Sequence, residues 1–303
     1  MANRVHYAYS LLWRRESGKE FKAGFPYYGT AASPLVWGDL CFVHLGGHER
    51  KPDSPGVGAI VALSAADGGE KWRWSEDAPA IGASPVIENI GGHLHLVFKT
   101  RQNIVGLDPE TGKKLWRIPY KVPMDNTIVT PLFVDGCLVT SDYDLGIAAW
   151  RIQPNGAEWT VRELWRHREV SLFLSSPVLA GGLLVGFSHF QKGQLFGMDP
   201  VNGKVLWRGA PRSGEHATLI SRGNEVLAFY EDGSLVVGEV FKDHFQPVRK
   251  YRLGSLGAWT HPAVINNRVL VKDGNRPAVY GIGERQDLWP DGYFGAVLAL
   301  HGK

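Results

Sequence analysis

The side chains best suited to chemistry stand in short, isolated groups. His93-x-His95 sets two imidazoles on one face of an extended segment, which is half of a zinc site. No third candidate ligand lies nearby in sequence, so an exposed strand face is the simpler reading. Gly186-Phe187-Ser188-His189-Phe190 puts a serine beside a histidine. It lacks the flanking glycine of a nucleophile elbow, and neighbouring side chains on a strand point to opposite faces. Gly56-Val57-Gly58 opens a strand rather than a helix, so it is no phosphate loop. Cys41 and Cys137, far apart in sequence, each follow a glycine-containing turn and read as small core residues. No catalytic residue and no metal ligand is assigned.

The elements that would position such groups are set by a repeat. Ser33-Pro34-Leu35-Val36, Ser84-Pro85-Val86-Ile87, Thr130-Pro131-Leu132-Phe133, Ser176-Pro177-Val178-Leu179, Ala217-Thr218-Leu219-Ile220 and His261-Pro262-Ala263-Val264 form a six-fold series. Taken at the second residue of each, the steps are 51, 46, 46, 41 and 44 residues. A period in the forties made of short strands is the mark of a four-stranded propeller blade. Each landmark is followed by a short apolar run, a tight turn such as Gly91-Gly92 or Asp135-Gly136, and a second and third run.

The third-to-fourth connection is the most specific part. Asp108-Pro109-Glu110-Thr111-Gly112-Lys113-Lys114-Leu115-Trp116 matches the stretch from Asp199 to Trp207, and Ser64 to Trp72 is a weaker copy. Aspartate can accept the amides of its own turn, and glycine supplies the left-handed residue that re-enters a strand. The tryptophan then sits on the outer strand, where its ring buries about 150–250 Å² against the next blade. Trp13, Trp72, Trp116, Trp165, Trp207 and Tyr251 take this blade-docking place.

The expected fold is all-β: one β-propeller domain of four-stranded antiparallel blades, six in number. They span 33–74, 84–118, 130–167, 176–209, 217–253 and 261–284, with the strand Tyr9 to Glu16 completing the last. Residues 285–303 form a tail in which Phe294 to Leu300 adds at most one strand. Thirty-seven glycines and eleven tryptophans suit this economy of tight turns and large packing anchors. The formal charge of +3, dispersed along the chain, gives no footprint for nucleic acid. No run reaches 18 apolar residues, so no membrane-spanning helix is expected, and residues 1–20 lack the apolar core of a secretory signal.

Propellers place ligands at the mouth of the central channel, where the innermost strand of each blade begins. The residues just before each landmark converge there: Tyr27, Tyr28 and Thr30; Asn126 and Thr127; Ser171, Phe173 and Ser175; Glu215 and His216; Trp259 and His261. This mixture suits a small polar or glycan-like ligand. The plainer reading, which we favour, is that these groups satisfy loop backbone. Lys99, Lys192 and Lys272 recur near the second-to-third turn and read as solubilising charge.

The Asp-x-x-Thr/Asn-Gly-Lys-x-x-Trp turn with the Ser-Pro start resembles the pyrroloquinoline-quinone-type (PQQ-like) propeller repeat over roughly 30–284. That superfamily includes quinoprotein alcohol dehydrogenases and the BamB-like assembly lipoproteins, usually of seven or eight blades and exported. The resemblance implies a periplasmic or extracytoplasmic setting; without it the chain reads as cytoplasmic. The resemblance does not bring the cofactor: there is no vicinal cysteine pair and no match to a calcium site, so neither pyrroloquinoline quinone nor Ca²⁺ is expected. The leading expectation is a non-catalytic binding or scaffolding protein, BamB-like, with a protein or small polar partner. A quinone-dependent dehydrogenase remnant or other channel-mouth enzyme, and an extracytoplasmic glycan-binding module, stand as the alternatives.

Overall fold

The computed structural model describes residues 11–16, 31–47, 57–78, 82–253, 261–265, 268–273 and 276–281. Among the described residues there are 23 strands, two 3-10 turns and no α-helix. The strands form six antiparallel meanders. Blade 1 holds β1 (Leu35–Trp37), β2 (Leu40–Gly47), β3 (Val57–Ser64) and β4 (Glu70–Trp74). Blade 2 holds β5 (Val86–Ile90), β6 (His93–Lys99), β7 (Asn103–Leu107) and β8 (Lys114–Pro119). Blade 3 holds β9 (Leu132–Val134), β10 (Cys137–Asp142) and a long hairpin, β11 (Gly146–Asn155) with β12 (Glu158–His167). Blade 4 holds β13 (Val178–Ala180), β14 (Leu183–Ser188), β15 (Gln194–Met198) and β16 (Val205–Arg208). Blade 5 holds β17 (Ala217–Arg222), β18 (Glu225–Tyr230), β19 (Ser234–Val240) and β20 (Phe245–Arg252). Blade 6 has three strands, β21 (Ala263–Ile265), β22 (Arg268–Asp273) and β23 (Arg276–Gly281).

The middle strands are apolar on both faces because each face meets a different blade. On β6, Leu96 and Phe98 pack back onto Phe42 and Ile60 of blade 1, while Val97 packs forward with Leu138 of blade 3. The same alternation continues from blade to blade, ending with Leu227 and Phe229 of blade 5 against Val264 and Val269 of blade 6. With a period of two, a strand can serve two interfaces at once. A blade taken alone would expose both.

Two further devices join the blades, and both use residues of the repeat. The landmark hydroxyls bridge the innermost strands: the Ser33 amide donates to Ser84 Oγ (3.0 Å), Ser84 to Thr130 Oγ1 (3.1 Å) and Thr130 to Ser176 Oγ (3.1 Å). At blade 5 the direction reverses, the Ala217 amide donating to Ser175 Oγ at 3.1 Å. At the rim, the outer-strand indoles donate to the next blade's turn. Trp72 Nε1 reaches the Pro109 carbonyl (2.9 Å), Trp165 the Pro200 carbonyl (3.2 Å) and Trp207 the Phe241 carbonyl (3.2 Å). Trp13 does the same to the Ala65 carbonyl at 2.8 Å.

Three details depart from the sequence reading. Trp116 donates within its own blade, to His95 Nδ1 at 2.8 Å, because the long hairpin of blade 3 lacks the aspartate–glycine turn that would receive it. Tyr251 pairs with Leu235, whereas Trp207 pairs with Gly197 one step past a bulge, so Tyr251 lies two residues beyond the tryptophan place. It still packs onto blade 6. The landmark of blade 5 lies one residue later than read: Ile220 pairs with Leu227 and through it with Val237 at the bulge, as Val178 pairs with Val185 and through it with Gly197, so Thr218–Ser221 is equivalent to Ser176–Leu179. The strand expected over Tyr9 to Glu16 is also not seen in its described part: residues 11–16 carry no strand pairing, and the last sheet has three strands among the described residues. The tail from 285 lies outside them.

Gly112 should tolerate no side chain. Its φ is +71°, and a Cβ there would stand 2.5 Å from Cε3 of Trp72. Gly112→Ala should cost about 2–3 kcal/mol in urea denaturation, and Gly92→Ala, left-handed but open to solvent, only about 1 kcal/mol. His44 supplies a second test. Its ring lies 4.6 Å from Phe98, neither nitrogen has a hydrogen-bond partner, and burial lowers its pKa to about 3. The unfolded imidazole binds its proton near pH 6.5 and the folded one resists, so stability falls as pH drops from neutrality. Between pH 7 and pH 5, His44→Leu should lose about 2 kcal/mol less than the parent chain. An unchanged difference between the two pH values would contradict this.

Candidate functional site

The innermost strands all begin on one side of the assembly, and the second strands end there; we call this the entry face. It contains a buried ion pair. Lys99 closes β6 and Asp142 closes β10, and both side chains are fully buried. Lys99 Nζ donates to Asp142 Oδ2 (2.7 Å) and to the Ser141 carbonyl (2.8 Å). Asp142 Oδ1 accepts the amides of Ile128 (2.9 Å) and Val129 (3.0 Å) in the loop entering blade 3. The Tyr120 ring lies 5.0 Å from Nζ. Burial pushes the Asp142 carboxyl up and the Lys99 ammonium down, and each charge opposes the other's shift. Two amides also face the carboxylate, and the pair bolts blade 2 to blade 3. The expectation of a solubilising Lys99 is thereby corrected: the end of β6 is covered by the next blade. Lys192 and Lys272 are exposed, as that reading requires.

The bonding continues into blade 4. Ser171 Oγ donates to the Asp142 carbonyl (2.8 Å) and accepts the Gly146 amide (3.1 Å). Ser141 Oγ accepts the Leu172 amide (2.9 Å) and donates to the Gly146 carbonyl (2.6 Å). Ser188 Oγ, buried, accepts the amides of Ser171 and Phe190, both at 3.2 Å, and so fastens the loop. His189 stacks on Tyr143 (5.0 Å) with the edges of Phe173 and Phe190 around it. Its Nδ1 faces the Ser171 carbonyl (2.9 Å) and its Nε2 faces Asp144 Oδ1 (3.0 Å).

Of the residues expected at the channel mouth, Asn126, Thr127, Ser171, Ser175 and His216 are buried. Their neighbourhood is spent on loop backbone: the Thr127 carbonyl accepts the amides of Gly82 and Ala83, and Ser175 accepts Ala217. His216 Nδ1 lies 3.4 Å from Glu231 Oε2. Phe173 is half-buried in the aromatic group, and Glu215 and His261 are exposed. Tyr27, Tyr28, Thr30 and Trp259 lie outside the described residues. Sequence reasoning missed Lys99–Asp142 as a pair, and also the Asp77 carboxylate, which accepts Thr100 Oγ1, the Gln102 amide and Asn103 Nδ2. Asp77 has no repeated position, and Asp142, which shares its place at the end of the second strand with Asp273, shows its partner only once blades 2 and 3 are set together.

The left-handed residues mark the same face. Met124, Asp125, Asp144, Gln191, Lys192 and Arg212 have φ between +57° and +60° and all lie in its loops. Asp135, in the turn between β9 and β10, is the remaining non-glycine case among the described residues. Such backbone persists where surrounding bonds over-determine it, often at sites of function. Met124 is 74% exposed, beside the Arg101–Asp125 ion pair at 2.9 Å.

His93 and His95 do not act together: His93 is exposed, His95 is buried, and burial holds the His95 pKa near 4. No group of three or more metal-ligating side chains occurs among the described residues. Cys41 and Cys137 are buried and free of any disulfide. The ion pair makes a direct prediction. Asp142→Asn leaves a buried ammonium without its counter-charge and should cost about 3–5 kcal/mol. The double variant Lys99→Met/Asp142→Asn should recover at least about 1 kcal/mol of that loss in urea denaturation.

The family model described as outer membrane protein assembly factor BamB matches residues 9–163 and again 160–242. Among solved structures, BamB from Moraxella catarrhalis aligns with a TM-score of 0.61 at 19% identity, covering 86% of this chain and 72% of that one. The computationally designed Ika8 protein aligns at 0.57 and 18% identity (84% and 71% covered). AztD from Citrobacter koseri aligns at 0.51 and 14% identity (82% and 68% covered). No curated protein matches the sequence significantly. At these identities the structural matches speak for the propeller fold, and the family match spans most of the chain. With its landmark hydroxyls and rim tryptophans in the places described, this chain belongs to the family of outer membrane protein assembly factor BamB.

Proposed function

We propose that the chain is a non-catalytic binding protein that presents the loops of its entry face to a protein partner. One observation carries the reading: Lys99, Asp142, Ser171, Ser175 and Ser188, side chains there that could do chemistry, are engaged in bonds that hold blades and loops together. What faces outward is a stiff surface with a half-buried aromatic group (Tyr143, Phe173, Phe190) and an exposed methionine, Met124. Aromatic residues and methionine are enriched where protein interfaces form. The family description, outer membrane protein assembly, supports a partner in that process and an extracytoplasmic, periplasmic setting. Among the described residues no helix is long and apolar enough to cross a membrane. No cofactor is part of this proposal.

Affinity capture from an envelope extract of the source cells, using the tagged chain, should recover a protein partner. Met124→Asp with Phe190→Ala should lower that recovery by about tenfold or more while leaving the melting transition in place. Recovery that survives both substitutions would place the interface elsewhere. Dye reduction that depends on added pyrroloquinoline quinone and Ca²⁺ would overturn the non-catalytic reading.

A further inference from the structure

Asparagine precedes glycine twice in this chain, at Asn155-Gly156 and at Asn202-Gly203. The dipeptide carries a chemistry of its own. A glycine amide has no side chain to shield it, so it can reach the carboxamide carbon of the asparagine before it. Whether the two groups meet depends on what else holds them, and here the two copies differ.

At Asn202 both groups are tied. Its Nδ2 donates to Asp199 Oδ2 (2.7 Å), and its Oδ1 accepts the Lys204 amide (2.9 Å). The Gly203 amide donates to the Asp199 carbonyl at 2.9 Å. Gly203 is buried, with the Trp165 ring 2.4 Å from where its Cβ would stand. The rim contact that joins blade 3 to blade 4 thus also clamps this asparagine. Cyclisation there requires the turn to open first.

Asn155 is held by none of these devices. It ends β11 and pairs with Glu158 at the start of β12, so Gly156 and Ala157 form the hairpin loop. Glycine suits the first place of such a loop because φ is positive there, and Gly156 has φ +63°. Residues 154–158 are all exposed. The Asn155 side chain makes no hydrogen bond among the described residues, and the Gly156 amide donates to no backbone carbonyl. Nothing stands within 4 Å of where a Cβ of Gly156 would be.

We propose that Asn155-Gly156 is a site of spontaneous deamidation, selective over Asn202-Gly203, that loosens the tip of the long hairpin of blade 3. The Gly156 nitrogen gives up its proton and bonds to Cγ of Asn155, while the Cγ–Nδ2 bond breaks and ammonia leaves. The product is a five-membered cyclic imide. Water then opens it at either carbonyl, giving aspartate or an isoaspartyl linkage at position 155. Both place a carboxylate opposite Glu158, and like charges directly opposed on paired strands repel. The isoaspartyl form also lengthens the backbone by one atom. The contacts just beyond are those that tie the hairpin to blade 2. Pro154 Cδ lies 3.3 Å from where a Cβ of Gly91 would be, and Trp159 meets His95 (4.2 Å) and His93 (5.7 Å) in T-shaped contacts.

The test incubates the full chain in mildly alkaline buffer and follows both sites by peptide mapping that separates asparagine, aspartate and isoaspartate. In the folded chain, Asn155 should react about tenfold or more faster than Asn202, with isoaspartate among its products. In urea the two rates should come within about threefold, since only the local sequence then acts. Asn155→Asp should lower the hydrogen-exchange protection of the 153–160 amides about fivefold or more. Equal rates at the two sites in the folded chain, a tenfold preference that persists in urea, or reaction at Asn155 without isoaspartate would each overturn the assignment. Unchanged protection in Asn155→Asp would overturn the loosening.

Discussion

No blade of this protein owns a complete core. The residues of its middle strands alternate between two neighbours, so half of each blade's apolar surface is covered by the sheet before it and half by the sheet after it. Stability is therefore a property of interfaces, as in other repeat architectures. The polar fasteners obey the same constraint. A landmark amide on one innermost strand is completed by a hydroxyl on the next, and a rim indole on one blade is completed by a carbonyl on the next. Burying an amide or an indole N–H without a partner would cost about 1–3 kcal/mol each, so these bonds matter most for what their loss would leave exposed.

That constraint explains the character of the entry face. The side chains that a sequence reading offers as ligand-binding groups stand where blades converge, and convergence uses them first. Ser171 is bonded on both sides, Ser175 receives the Ala217 amide, and the Lys99–Asp142 pair fixes the loop at Ile128 and Val129. The aromatic side chains of this face lie farther out in its loops. There Tyr143, Phe173 and Phe190 gather around His189, and several non-glycine residues hold left-handed backbone.

Much of the architecture was legible because periodic positions repeat their physical role. The Ser-Pro starts, the aspartate–glycine turns and the tryptophans at 72, 165 and 207 each announce the same contact every time, and the sheets follow. Reading failed where a blade departs from its siblings. Blade 5 keeps a hydroxyl in Thr218 but has leucine in place of the proline, so its landmark was set one residue early. Blade 3 replaces the short turn by a long hairpin, so nothing in the spacing told that Trp116 would turn inward to His95. The Lys99–Asp142 pair was illegible for a different reason. A lysine at a strand end looks solvated until the neighbouring blade, 43 residues away, is placed against it.

The hydroxyl bridges have a direction. From Ser33 to Thr130 each amide waits for an oxygen that lies later in the chain, by 51 and then 46 residues. During synthesis the landmark amide of a blade thus stays without its acceptor until the whole blade and the first residues of its successor have left the ribosome. Maturation is paced by translation itself, one module behind the point of elongation. The reversed bond at Ala217 is where that dependence turns round: the fifth module finds its acceptor, Ser175, already made.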